Sequence, residues 1–325
     1  MVASNFAPAL ACVLVHEGGK DDDPVDPGGR TAYGVIQRRY NQYRRAKGLP
    51  VRDVWLITPD EREEIYKVYY WDVCRAADLP AGLDYCVFDA CVNSGDGQAA
   101  KWVQRAINDV RSKSGQGPIA VDGRIGDGTV QAANDIDDID AVISAMQARR
   151  LAMLRNLKTW YRFGKGWSTR VAEVKKLSQA VARGSVPAPT PKGWVTAPDK
   201  APAAQGGSPT SPKALPSDAK PLPSPTGGVV ATTIGTASSG VSTVTTTAAP
   251  AQGLSPTLDM VLQVLIVLGI LLTLAGATYA WWANRRAKQM AAELDIAVPP
   301  APDVETANDN ETGGDHPAAA PGEAA

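Results

Sequence analysis

The chain has 325 residues, 44% of them hydrophobic, with 33 Lys and Arg against 34 Asp and Glu. Without a dense basic stripe or zinc-ligand spacing, that balance argues against nucleic acid as a partner. Two histidines and four cysteines lacking a Cys-x-x-Cys pair argue against a metal site, and no cofactor is expected.

The first element is legible from spacing. Phe6, Leu10, Val13 and Leu14 recur with helical period, which predicts a helix over 4–17. Gly18 and Gly19 then supply a stop signal. Glu17 therefore faces the negative end of the helix dipole, which favours its protonated form and suits a general acid. The stretch 18–33 is too rich in Gly, Pro and Asp for a helix and is expected to be a loop or short hairpin lining a cleft. It carries a second carboxyl, Asp26, in Asp26-Pro27-Gly28-Gly29. Two carboxyls across a cleft are what glycoside hydrolysis needs, one to protonate the leaving oxygen and one to handle water or the cation. Two ordinary turns, with Asp26 capping its own, are the competing reading. Asp21, Asp22 and Asp23 read as a solvated loop and lack the spacing of a calcium loop.

Further helices are expected at about 34–47, 59–72, 82–93, 97–110, 128–135, 138–156 and 168–183. Thr58-Pro59-Asp60-Glu61 has the form of a capping box with Pro in the first turn. Cys12, Cys74, Cys86 and Cys91 lie in apolar surroundings and read as small buried hydrophobes rather than disulfide partners. Aromatic faces at Tyr33, Tyr70 and Trp71, with the amides of Gln37 and Asn93, are candidate sugar contacts; core packing and helix capping compete for the same residues. The cluster Trp160, Tyr161, Phe163 and Trp167 reads as packing.

Only the first 184 residues or so can build a core, and they carry 26 basic against 23 acidic side chains. Pro, Ala, Ser, Thr and Gly dominate from about 186 to 257, a composition expected to stay disordered. Met260 to Trp282 holds no charge and as a helix would be roughly 34 Å long, enough to cross a bilayer. Tyr279, Trp281 and Trp282 suit an interfacial belt, and Arg285, Arg286 and Lys288 would keep the C-terminus in the cytoplasm. The N-terminus shows neither a basic region nor a small-residue cleavage site, so no secretory signal is expected and export would need a holin-type pore or another route. Beyond 290 every charge is acidic. The expected organisation is 1–95 catalytic, 96–184 a helical accessory domain, 185–258 linker, 259–283 transmembrane helix and 284–325 acidic tail.

Several separate motifs occur in an order that resembles glycoside hydrolase family 108, the lysozyme-like N-acetylmuramidases of phages and bacteria. They are Glu17-Gly18-Gly19, Asp26-Pro27-Gly28-Gly29 with Thr31 and Tyr33-Gly34, Ile65-Tyr66 with Tyr69-Tyr70-Trp71, Leu83-Asp84-Tyr85, Phe88-Asp89 and Val92-Asn93-Ser94-Gly95. Val121-Asp122-Gly123-Arg124-Ile125-Gly126 is similar to the peptidoglycan-binding domain that follows in that family, although a tight turn needs those glycines anyway. The resemblance covers roughly 6–180 and implies a mainly helical, lysozyme-like fold with at most a small hairpin. Glu17, Asp26 and Thr31 are also similar in spacing to the Glu, Asp and Thr of phage-type lysozymes from another family. That likeness implies that Asp26 and Thr31 hold the attacking water.

The expectation is a peptidoglycan hydrolase with lysozyme activity. It would be anchored in a bacterial inner membrane through 260–282, with the catalytic domain facing the periplasm, and would serve phage-type lysis with a holin as possible partner. A lytic transglycosylase using Glu17 alone, a non-catalytic wall-binding anchor and a holin-like membrane lysis protein are the alternatives. Release of secreted cargo through the wall is an alternative to the lysis role.

Overall fold

In the computed structural model, the structure describes residues 5–22, 30–185, 213–224 and 256–294. Helix α1, Phe6–Glu17, buries Phe6, Leu10, Val13 and Leu14 and stops where Gly18 adopts φ 70°, a conformation that costs glycine little. Strands β1 (Lys20–Asp21), β2 (Thr31–Ala32) and β3 (Val35–Ile36) form an antiparallel sheet in the order β1-β2-β3, with Lys20 opposite Ala32 and Ala32 opposite Val35. Tyr33 and Gly34 join β2 to β3 with φ of 51° and 78°, the doubly left-handed turn that matches hairpin twist. Helix α2 therefore begins at Gln37, running Gln37–Ala46. The residues expected to open it close the hairpin instead, because Gly34 turns the chain and the β-branched pair Val35-Ile36 extends it.

Helix α3, Pro59–Tyr66, has the expected capping box, with Thr58 accepting from the Glu61 N–H and Glu61 reaching back to the Thr58 N–H. It runs into a π-helical turn, Lys67–Trp71, so the expected helix over 59–72 is present but widened in its second half. Helix α4, Leu83–Ser94, has every residue buried. It stands at the centre of the body, contacted by α1, by α5 (Asp96–Lys113), by α7 (Ile139–Arg155) and by α8 (Trp160–Ala182). Helix α6, Asp127–Asn134, packs on α5. Beside α4, Gly82 allows a close approach of the α8 backbone, since a methyl there would overlap the Ser178 carbonyl. Helix α8 starts well before the expected 168 because Gly164 is a packing surface: a methyl on it would come within 2.6 Å of the Trp160 ring.

One apolar core runs from Phe6 through Trp71 and Phe88 to Trp102, Met146 and Trp167. Residues on both sides of position 95 contribute to it. Phe6, Trp71 and Phe88 meet edge to face at 5.2–6.0 Å; burying each such side chain contributes about 1.5–3 kcal/mol. All four cysteines are buried and unpaired, in line with their reading as small hydrophobes.

Helix α9, Pro256–Leu294, includes the apolar stretch and continues beyond it. Within it, Gln263–Leu294 is long and apolar enough to cross a membrane, its most apolar 18-residue stretch having a mean hydropathy of 2.1, and Leu265, Leu268, Leu271, Leu274, Trp281 and Trp282 are exposed. Two compositional expectations are corrected. Part of the presumed linker, residues 213–224, lies on the body, with Ala214 buried and its N–H bonded to the Asn93 carbonyl at 2.9 Å. The start of the presumed tail is helical to Leu294 and buries Ala287, Met290, Ala291 and Leu294. In the first segment small side chains and paired backbone do what bulky residues do elsewhere, and in the second Met290 and Leu294 reach the core from a stretch otherwise of polar and small residues, neither of which composition reveals. The rest of the linker and tail lies outside the described residues.

Candidate active site

Glu17 closes α1 and is 8% exposed. Its two carboxylate oxygens face different walls. A methyl built on Gly34, at the hairpin tip, would overlap the Tyr66 hydroxyl, approach Glu17 Oε2 to 2.6 Å and Glu17 Cβ to 3.1 Å. The bare glycine backbone is therefore what lets the hairpin close on the carboxylate. The Tyr66 hydroxyl donates to the Tyr33 carbonyl at 2.9 Å and pins that tip. Burial, and then the Glu17 charge, hold the Tyr66 phenol well above its ordinary range, so it stays a neutral donor.

Oε1 faces the helices. Arg170 Nη2, on α8, lies 2.8 Å from it and 2.9 Å from Asp89 Oδ1, on α4. Arg170 Nε donates to Asp89 at 3.0 Å, and Arg150 Nη1, on α7, donates to Asp89 Oδ2 at 2.7 Å. The Nη2 contacts are close by distance, but their N–H groups are not aimed at the oxygens, so they are ion pairs rather than hydrogen bonds. Asp89 is paired with both guanidiniums, and Arg170 also reaches Glu17, so the buried charges here have opposite partners, the condition under which they are tolerated. Burial alone would raise the Asp89 carboxyl, yet Arg170 and Arg150 together hold it well below the usual carboxylate range. His16 lies next to the same cluster. Burial, with Arg170 and Arg150, lowers its imidazole to about 4 against the pull of Asp89. His16 is thus neutral near pH 7, and its 3.8 Å approach to Glu173 is not an ion pair there.

The other sequence-predicted residues divide. Tyr33 sits at the hairpin tip with its ring over the Arg62 guanidinium at 4.9 Å. Thr31 is buried in β2, and its carbonyl accepts from Trp55 Nε1 at 3.2 Å. Tyr70 packs against Tyr66 with centroids 5.4 Å apart, and its hydroxyl accepts from Lys213 at 2.8 Å. Asn93 neither caps its helix through its side chain nor faces solvent; its Oδ1 accepts from Arg150 Nη2 at 3.1 Å. Gln37 lines a separate cavity of about 290 Å³ with Arg30, Asn41 and Asp53. Its amide is engaged with Asn41, with the Arg52 carbonyl and with the Val54 N–H, each at 2.8 Å. Trp71 is corrected: it is 1% exposed, in the aromatic core between Phe6 and Phe88, and has no face left for a sugar. Asp26 lies outside the described residues; Asp22 and Arg30, which flank that segment, are joined at 3.0 Å.

Sequence reading missed Asp89, Arg150 and Arg170 as a unit. The one local signal was an acid inside the wholly apolar surroundings of Phe88 and Ala90; its partners lie 61 and 81 residues away. The turn at 121–126 is pinned to α5 by Gln104, whose amide bonds Asp122 Oδ1 at 2.7 Å and the Gly123 N–H at 3.0 Å.

Residues 10–95 match the family described as Glycosyl hydrolase 108. The solved structure of SagA from Brucella abortus is 33% identical, the alignment covering 55% of this chain and 95% of that one at a TM-score of 0.47. No curated protein matches the chain.

Proposed function

We propose that this chain, a glycosyl hydrolase 108 protein through residues 10–95, cuts the β-1,4 bond after N-acetylmuramic acid in peptidoglycan. The observation that carries the reading is Glu17, seated at the end of α1 between the hairpin tip and Arg170. Oε1 is held by the guanidinium, so Oε2 is the oxygen that delivers the proton to the leaving glycosidic oxygen. As the bond from the anomeric carbon to that oxygen breaks, water adds to the anomeric carbon and yields a reducing muramic-acid end. Asp89 is unsuited to the water-handling role because it is fully buried and doubly ion-paired. Asp26 with Thr31 takes that role, on the strength of spacing alone. Tyr33 and Tyr70, near the Glu17–Tyr66 contact, are the aromatic surfaces for the glycan.

The apolar length and exposure of α9 support anchoring in the inner membrane of a bacterium, with Arg285, Arg286 and Lys288 on the cytoplasmic side and the catalytic unit towards the wall. That placement suits phage-type lysis, with a holin as the export partner. The test is digestion of sacculi by the full chain in detergent, with mass analysis of released fragments. Reducing muramic-acid ends are expected. Anhydro ends would make the enzyme a lytic transglycosylase, and binding without release would leave only a wall anchor.

A further inference from the structure

Two segments far apart in sequence dock at one place on the catalytic body, the C-terminal end of α7. The first is 213–224. Lys220 N–H donates to the Asn156 carbonyl at 2.8 Å, Lys158 N–H donates to the Asp218 carbonyl at 3.0 Å, and Leu157 and Ala219 form an antiparallel bridge. This strap then runs to two residues at the edge of the site. Lys213 Nζ donates to the Tyr70 hydroxyl at 2.8 Å, and Ala214 N–H donates to the Asn93 carbonyl at 2.9 Å. The second segment is the end of α9. Asn156 Nδ2 donates to Glu293, Asn156 Oδ1 accepts from Arg286 Nη2 at 3.3 Å, and Ala287, Met290, Ala291 and Leu294 are buried there. Asn156, itself 3% exposed, thus holds the strap through its backbone and the helix end through its side chain.

These contacts cannot coexist with a membrane-spanning α9. If 260–282 crosses a bilayer, 256 and 283–294 lie on opposite faces, separated by the hydrocarbon core of about 30 Å. A body that grips both 213–224 and 283–294 sits on the face of the helix end. Residues 225–255 would then have to cross the bilayer as unpaired polar backbone to reach position 256, which lipid does not permit. In a detergent micelle the same residues can pass around the rim, since a chain of that length reaches about 100 Å when extended.

We propose that 213–224 and 283–294 form an intramolecular latch on the end of α7 that holds a strap against Tyr70 and Asn93, and that spanning of a bilayer by α9 opens it. The release half rests on the membrane reading above. In the latched form Lys213 occupies the hydroxyl of a glycan-facing tyrosine and slows cleavage. Once α9 spans, the helix end is withdrawn from the Asn156 side chain, residues 156–158 that anchor the strap lose that buried backing, and the strap, left with its own few bonds, opens and uncovers the site.

The native full chain tests this through hydrogen exchange of the amides of Ala214 and Lys220, in micelles and in sealed vesicles, with trypsin added outside the vesicles to locate Arg285, Arg286 and Lys288. Protected strap amides in micelles, and exchanging ones in vesicles whose helix end is shielded from trypsin, are expected. Strap amides that exchange freely in micelles, or stay protected in vesicles with a shielded helix end, would overturn the latch or its release, respectively. Cleavage of the helix end from the same side as the catalytic unit would show that α9 does not span; it would sink the membrane reading and the release, while protection in micelles would still establish the latch. A second measurement uses Lys213→Ala, which removes the bond to Tyr70. In micelles it should speed clearing about three- to tenfold, the scale of one ordinary hydrogen bond, with no change for protein inserted in vesicles. An unchanged rate in micelles would show that the strap does not hinder the site.

Discussion

The two walls that meet at Glu17 are built of different material. On one side the hairpin tip approaches through bare glycine backbone and is pinned by a single Tyr66–Tyr33 hydrogen bond. On the other, Asp89, Arg150 and Arg170 form a buried charge cluster drawn from three helices. The hairpin wall and Asp89 lie within residues 10–95, but Arg150 and Arg170 come from α7 and α8, beyond that segment. The seat of the proposed acid is thus completed by helices outside the matched family segment. A buried, mutually compensating cluster gives way only as a whole, whereas a two-residue turn can shift with little else moving.

That contrast predicts unequal effects. Asp89→Asn leaves two buried guanidiniums facing Glu17 alone and should cost about 3–5 kcal/mol of stability, read by urea unfolding of the detergent-solubilised chain. A loss below about 1 kcal/mol would mean that water screens the cluster. Next in size is the acid response. His16 takes its proton near 6.5 when unfolded but only near 4 when folded, so between those values the unfolded chain binds the extra proton. Stability should therefore fall as pH drops from about 6.5 to about 4, by up to about 3 kcal/mol, and His16→Gln should flatten that slope in melting curves. On the hairpin wall, Gly34→Ala adds a methyl against Tyr66 and Glu17 Oε2 at a φ of +78°. Clearing should drop about a hundredfold, while unfolding shifts by about 1–3 kcal/mol, the scale of a non-glycine residue held in that region. Tyr66→Phe removes only the tip hydrogen bond and should cost about 1 kcal/mol, with a few-fold fall in clearing.

Around the hairpin wall, α1, its glycine stop and the start of α3 were legible in sequence because their signals are local, whereas Gly34 to Ile36 read as a helix start and close the hairpin instead. The helical run into Glu17, the glycine stop and the capping box at Thr58 each sit within a few residues, and each formed as read. The helical wall was not legible. Arg150 and Arg170 look like any surface cation in amphipathic helices, and nothing local pairs them with an acid on α4. Trp71 was misassigned for the same reason, since one aromatic can line a cleft or fill a core and only tertiary packing decides. The strap at 213–224 was hidden by composition, because Ala214, Asp218, Ala219 and Lys220 bind the body through backbone groups that no hydropathy count registers.

The most direct test of Glu17 as the acid is clearing of purified sacculi by the full chain and its Glu17→Gln variant, with unfolding followed in parallel. Folding of the variant with clearing lowered by at least about 10²–10⁴-fold is the predicted result. A folded variant that clears sacculi at the wild-type rate would contradict it.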